Sequence, residues 1–283
     1  MLTVISVKFG SSQWIEKNLE LSAALNPNLA VRWLIVNNDN DPSFHAPNAE
    51  VLPAIPKPQT LDKGSQHHAQ AIMSALTLVK TRFVLILDHD FYIFRQHWMQ
   101  ALMQHMQARD LSFFGSVWHP RWSYQYRYFP SVHCMMIDLE KVRLEALNFL
   151  PDMNGNKFDK FINQPRVPIP HWLRTALQVG QFRDTAWQVY QQFRDQPHEC
   201  LTPHFIATPN RFIPDRFSVI PKKQGYFTEQ SFLKSASSFA YNSAWEEFFW
   251  QDQPFALHLR RVGRKPKVDE YTELCRVLEQ FTK

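Results

Sequence analysis

At 283 residues, the chain is long enough to bury a large core, either as one α/β domain or as two small ones. Hydrophobic residues make up 45% and aromatic residues 14%, which excludes a disordered chain. A net charge of +5 suits a polyanionic ligand, an anionic membrane surface or nucleic acid without choosing among them.

Basic residues are scattered except in Arg260-Arg261 and Arg264-Lys265-Pro266-Lys267, so no nucleic-acid stripe is evident and no nucleic-acid partner is expected. Cys134, Cys200 and Cys275 lie far apart without ligand spacing, which argues for reduced thiols in a cytoplasmic chain and against a disulfide scaffold or zinc knuckle. No apolar run approaches bilayer-spanning length and no basic-then-apolar leader opens the sequence. The expectation is a soluble cytoplasmic protein, with peripheral contact to the inner face of a membrane left open.

Residues 2–7 are a β-rich run that breaks at Gly10-Ser11-Ser12 and reads as a central first strand. Ser11 or Ser12 can cap the helix that follows, in which Ile15, Leu19 and Ala23 recur at helical spacing before Asn26-Pro27-Asn28 stops it. Residues 31–36 form the second strand, which ends in Asn37-Asn38-Asp39-Asn40-Asp41-Pro42. Strand, helix and strand make a right-handed βαβ unit. Val51-Leu52, set among prolines, is at most an edge strand. The loop Leu61-Asp62-Lys63-Gly64-Ser65-Gln66-His67-His68 leads into a helix with Ala69, Ile72, Leu76 and Val79 on one face.

The stretch Phe83-Val84-Leu85-Ile86-Leu87 has no polar alternation, as befits a strand covered on both faces. It runs into Asp88-His89-Asp90. Ligand crevices of open α/β sheets lie beyond the carboxyl ends of the strands, and period-two geometry would point both carboxylates one way and turn His89 aside. Two close carboxylates repel unless a cation is near, and a hard divalent ion, Mg²⁺ or Mn²⁺, is the simplest remedy. A strand ending in an acidic turn is the plain alternative.

Further along, Trp98, Leu102, Met103 and Met106 mark a covering helix, and residues 111–117 a strand. The aromatic loop over residues 118–128, with Trp118, Trp122 and Tyr124, offers faces on which a sugar could stack or a small hydrophobic core could form. Residues 151–170 read as a long connection. Asp184 precedes Ala186, Val189, Tyr190 and Phe193 as the start of a helix, where it could be a capping residue. Residues 201–227 read as loops and short strands, and residues 244–250 as a helical turn. Residues 255–261 alternate like a strand with His258 and Arg260 on one face. A final helix carries Tyr271, Leu274, Leu278 and Phe281.

The run "LDHDFYIF" behind "GSQHHAQAIMSALTLVKTRFVLI" resembles the metal-binding Asp-X-Asp segment of nucleotide-sugar-dependent glycosyltransferases with the GT-A fold, close to the inverting family-two type. The resemblance implies a Rossmann-like α/β fold: a mostly parallel central sheet flanked by helices, with a C-terminal acceptor-side extension. It further implies one catalytic unit over residues 1–283, with a nucleotide-sugar-binding half over 1–138 and an acceptor half over 139–283. Asn37, Asn38 and Asp39 match, loosely, the place where base and ribose are held, although an Asn/Asp turn accounts for them equally. Lys63, Gly64 and His68 would lie near the donor diphosphate. Asp88, Asp90 and His258 would bind Mn²⁺ or Mg²⁺, with Asp88 also reaching the nucleotide, and Arg260, Arg261 or Arg264 would grip phosphate.

Asp184 matches the catalytic base of inverting members, although Arg183 stands where an acidic neighbour is commoner. The implied reaction is metal-dependent sugar transfer, with inversion, from a nucleoside-diphosphate sugar to the hydroxyl of a carbohydrate or lipid-linked acceptor. A catalytically inactive sugar- or nucleotide-binding relative and a nucleotidyltransferase are the other readings.

Overall fold

The computed structural model describes residues 1–58, 63–119, 127–152, 184–205, 226–243, 245–259 and 270–282. In chain order these hold β1 (Leu2–Lys8), α1 (Gln13–Leu25), β2 (Val31–Asn37), β3 (Glu50–Leu52), α2 (Lys63–Leu76), β4 (Phe83–Leu87), β5 (Phe91–Ile93), α3 (Trp98–Ala108), β6 (Phe113–Gly115) and β7 (Cys134–Asp138). They continue with α4 (Trp187–Phe193), β8 (His198–Cys200), β9 (Thr202–Pro203), α5 (Leu233–Ala236), α6 (Ser238–Asn242), β10 (Glu246–Trp250), β11 (Gln253–His258) and α7 (Glu270–Phe281).

Among the described residues the central sheet has seven strands in the order β3-β2-β1-β4-β7-β6-β8. β1 pairs in parallel with β2 and β4, β2 with β3, and β6 with β8, whereas β7 runs antiparallel to both β4 and β6. This is the mixed α/β, mostly parallel sheet that the resemblance implies, begun by the βαβ unit read from the residue pattern. Successive strand residues feed opposite faces. Leu2, Val4, Phe83, Leu85 and Leu87 join one apolar cluster with α1, α3 and α7, while Ile5, Val7, Val84 and Ile86 join another with α2 and α4. Both faces are covered, so β4 carries no polar alternation.

A second sheet, in the order β5-β11-β10-β9, packs beside the first. Its register builds the site. β5 leaves the Asp88-His89-Asp90 turn and pairs antiparallel with β11, setting His258 opposite Phe91, and β10 sets Glu246 opposite His258.

Four expectations change. Residues 246–250 are a strand, not a helical turn, because pairing with β9 and β11 buries all five side chains in alternation. The Asp-X-Asp segment is a turn closed by the Phe91 amide donating to the Asp88 carbonyl at 3.1 Å, so His89 lines the same cavity as the two aspartates instead of pointing away. The buried stripe of α1 is Trp14, Ile15, Asn18, Leu21, Ser22 and Leu25, leaving Ala23 exposed. α2 ends at Leu76, so Val79 lies beyond it. Val51 and Leu52 do form the edge strand. The connection over 151–170 falls outside the described residues from 153 onward.

Candidate active site

The carboxyl ends of β1, β2 and β4 share one edge because their parallel register aligns them. There a cavity of about 310 Å³ is lined by Val7, Phe9, Asn38, Gly64, His67, His68, Asp88, His89, Asp90, His133 and His258. Antiparallel pairing of β7 with β4 sets Leu87 opposite Cys134, and the Asp88 amide donates to the His133 carbonyl at 2.9 Å. His133 thereby lands beside Asp88 although 45 positions separate them in the sequence (133 − 88).

Asp88, His133 and His258 each offer a ligand atom, all within 4.8 Å of one another. Each imidazole is held by its Nδ1: that of His258 contacts Glu246 Oε2 at 2.7 Å, and that of His133 contacts Ser131 Oγ at 3.1 Å. Each Nε2 faces a site carboxylate, His133 to Asp88 at 4.0 Å and His258 to Asp90 at 3.4 Å. One carboxylate and two imidazoles with anchored Nδ1 atoms form a donor set that fits a divalent ion. The two rings lie 4.6 Å apart.

Electrostatics follow from this crowding. Burial disfavours charge on His258, yet Asp90 and Glu246 on either side outweigh it and hold its pKa up at about 10. Burial likewise opposes charge on Asp90, and His258, His89 and His133 overcome it to lower the carboxyl below its ordinary value. His68, whose Nε2 lies 3.5 Å from Asp88 and whose side chain stays 27% exposed at the cavity, is pushed down to about 4 by desolvation, against the opposing charge of Asp184.

The remaining expected residues divide into three groups. Asn37 spans its turn, its amide donating to the Asp41 carbonyl at 2.7 Å. Asp39 accepts from the buried Lys8 at 2.9 Å and from the Gly10 amide at 2.9 Å. Asn38 donates to His67 Nδ1 at 3.1 Å while its oxygen accepts from the Ile55 amide at 3.3 Å. These three carry the local loop, and of them only Asn38 lines the cavity. Gly64 also lines it, with nothing within 4 Å of where a Cβ would sit, so the space above its backbone is open. Lys63 opens α2. Trp118 is only 4% exposed and meets His133 edge-on at 4.6 Å, so it supports that ring and presents little face to a sugar.

Asp184 sits three residues before α4, not within its first turn, and its Oδ1 accepts from the Thr185 amide at 2.7 Å. Thr185 Oγ in turn donates to the Ser65 carbonyl of α2 at 3.1 Å, which fastens this segment beside His68. Trp122, Tyr124, Arg260, Arg261 and Arg264 lie outside the described residues.

Sequence reasoning missed His133, Glu246, His89 and Phe9. Phe9, 46% exposed at the end of β1, places a large aromatic ring on the cavity wall. His89 Nε2 is buried with no hydrogen-bond partner among the described residues. An exposed aromatic directly after an apolar strand was a usable signal for Phe9. His133 gave none without knowledge that β7 runs antiparallel to β4.

No protein-family model matches the chain, and no curated protein matches it. Among solved structures it is similar to the galactosyltransferase LgtC in complex with donor and acceptor sugar analogues, at a TM-score of 0.40 and 14% identity over 71% of this chain and 73% of that one. It is also similar to S. aureus TarS 1–349, at 0.38 and 13% over 53% and 50%. A third is the mannosyltransferase PcManGT from Pyrobaculum calidifontis in complex with GDP-Man and Mn²⁺, at 0.36 and 13% over 53% and 47%. The chain spans about half the length of the TarS and PcManGT structures. Among the described residues, no helix is long and apolar enough to cross a membrane.

Proposed function

We propose that the chain is a metal-dependent glycosyltransferase of the GT-A type that moves a sugar, with inversion, from a nucleoside-diphosphate sugar to an acceptor hydroxyl. One observation carries this reading: Asp88, Asp90, His133 and His258, brought from three separate stretches of sequence, line one cavity at the carboxyl edge of the sheet. Burying two carboxylates and two imidazoles there is costly for a fold with no use for them, and that edge is where open α/β sheets bind ligands.

Asp88, His133 and His258 would hold the ion, with Asp90 against His258. The two nitrogen donors favour Mn²⁺ over Mg²⁺, which prefers all-oxygen shells. When bound, a divalent ion supplies Lewis-acid stabilisation of the charge that develops on the departing diphosphate. The donor base stacks on Phe9, with Asn38 beside it. Asn37 and Asp39 shape the loop around this subsite. The diphosphate passes over the open backbone of Gly64, near Lys63 and His68, and Arg260, Arg261 and Arg264 supply further positive charge.

Asp184 is the base: as the acceptor oxygen forms its bond to C1 and the C1–O bond to the diphosphate breaks, the hydroxyl proton passes to the Asp184 carboxylate and the electron pair leaves with the nucleoside diphosphate. Trp122 and Tyr124 line the acceptor side, which takes a carbohydrate or a lipid-linked sugar.

Thermal shift with a panel of nucleoside diphosphates, with and without Mn²⁺, tests the reading. Stabilisation by at least one nucleoside diphosphate that requires Mn²⁺ is expected, and equal stabilisation without the ion contradicts metal dependence.

A further inference from the structure

β10 carries two adjacent buried carboxylates, Glu246 and Glu247, on opposite faces of its sheet. Their partners differ in kind. Glu247 accepts from the Leu233 amide at 2.8 Å and from Ser231 Oγ at 2.9 Å, and meets His204 Nδ1 at 2.8 Å, so it ties the segment ahead of α5 to the sheet. Glu246 instead faces a histidine of the cavity, with its Oε2 2.7 Å from His258 Nδ1. Cross-strand register sets this contact, since Glu246 and His258 are direct partners in the β10–β11 ladder. A proton on the nitrogen so close to a carboxylate oxygen is favourable, so Nδ1 stays a donor to Glu246, and Nε2, turned toward Asp90 and the cavity, is the atom that would give up its proton to take an ion. The ring plane is fixed further by Phe91 at 5.6 Å and His133 at 4.6 Å.

We infer that Glu246 is a positioning residue, which locks the tautomer and orientation that present His258 Nε2 and thereby sets the affinity of the cavity for a divalent cation. The inference rests on the metal-site reading above. A carboxylate behind a ligating imidazole raises the basicity of the ring and removes the cost of orienting it, and loss of such a partner typically weakens metal binding by about 10- to 100-fold.

Equilibrium binding of Mn²⁺ alone, followed by electron paramagnetic resonance of the free ion, tests it in the full chain. Glu246→Gln keeps the shape and removes the charge. It should weaken Mn²⁺ binding by about 10-fold while leaving the metal-free melting temperature near that of the unaltered protein. In a His258→Ala background, where binding is weaker and read at higher Mn²⁺ concentration, adding Glu246→Gln should change nothing more, because the residue acts through His258.

Should Glu246→Gln melt early, Glu246→Asp replaces it, keeping the charge but falling short of Nδ1, with weaker Mn²⁺ binding again expected. Unaltered affinity in the variant, or an equal loss with and without His258, overturns the inference and leaves the metal site standing. Failure of the unaltered protein to bind Mn²⁺ overturns both.

Discussion

His133 gives the sharpest test, because no acidic motif marks it and only the strand register brings it to Asp88. Replacing it by alanine removes one of three ligand atoms that lie within 4.8 Å of one another. The partners that merely orient a ligand are worth about 10- to 100-fold in affinity, so loss of a ligand should cost at least about 100-fold. At a Mn²⁺ concentration of about 100 times the dissociation constant, the ion stabilises the unaltered protein by roughly 2.7 kcal/mol. In the variant the same concentration equals the dissociation constant and gives only RT ln 2, about 0.4 kcal/mol. At about 2 °C per kcal/mol for a chain of this size, those figures are a shift of about 5 °C against one under about 1 °C.

The assay is differential scanning fluorimetry with and without Mn²⁺, scored as the increment for each protein. His133→Ala also removes the contact with Trp118 and so lowers the metal-free baseline. An undiminished Mn²⁺ increment would refute the reasoning and return the site to Asp88 and Asp90 without the imidazole that precedes β7.

Three further outcomes follow from the same geometry. Asp184→Asn should keep the Mn²⁺-dependent nucleotide shift but lose transfer by about 100-fold or more, the usual worth of a general base, as measured by release of nucleoside diphosphate in the presence of acceptor. Phe9→Ala should weaken nucleoside diphosphate binding by a stacking contribution of about 1–3 kcal/mol, read by calorimetry, while Mn²⁺ binding alone is unchanged.

The third concerns pH. The Ser43 hydroxyl, and next to it Lys8, hold the Asp41 pKa at about 2, below its ordinary 3.8. A carboxyl lowered on folding contributes stability that is complete above its unfolded pKa and is lost as pH falls toward the folded one. Urea titrations should therefore show this contribution disappearing between about pH 4 and pH 2, and Ser43→Ala should flatten that part of the profile.

Much of this site was legible where local pattern decides structure. The unbroken apolar run of β4 announced a strand covered on both faces, and the Asp88 and Asp90 that follow it line a cavity at the carboxyl edge of the sheet. His258 was legible as a strand histidine from the alternation around it. What sequence hid was set by pairing between distant strands. His133 meets Asp88 only because β7 runs antiparallel to β4, and Glu246 meets His258 only because residues 246–250 become a strand rather than a helical turn. Their aromatic and acidic composition allowed either conformation, and the two neighbouring strands decided it. Asn37 and Asp39 show the converse: polar residues at a strand end invite a ligand role, yet their side chains satisfy Asp41, Lys8 and Gly10.

The central claim is that a divalent ion sits among Asp88, His133 and His258 to receive a nucleoside diphosphate. A crystal soaked with Mn²⁺ and a nucleoside diphosphate, measured for anomalous scattering by manganese, tests it most directly. The account predicts one strong peak within bonding distance of Asp88 and of the Nε2 atoms of His133 and His258, with diphosphate oxygens beside it. A manganese peak bound elsewhere, with this cavity holding neither ion nor phosphate, would contradict it.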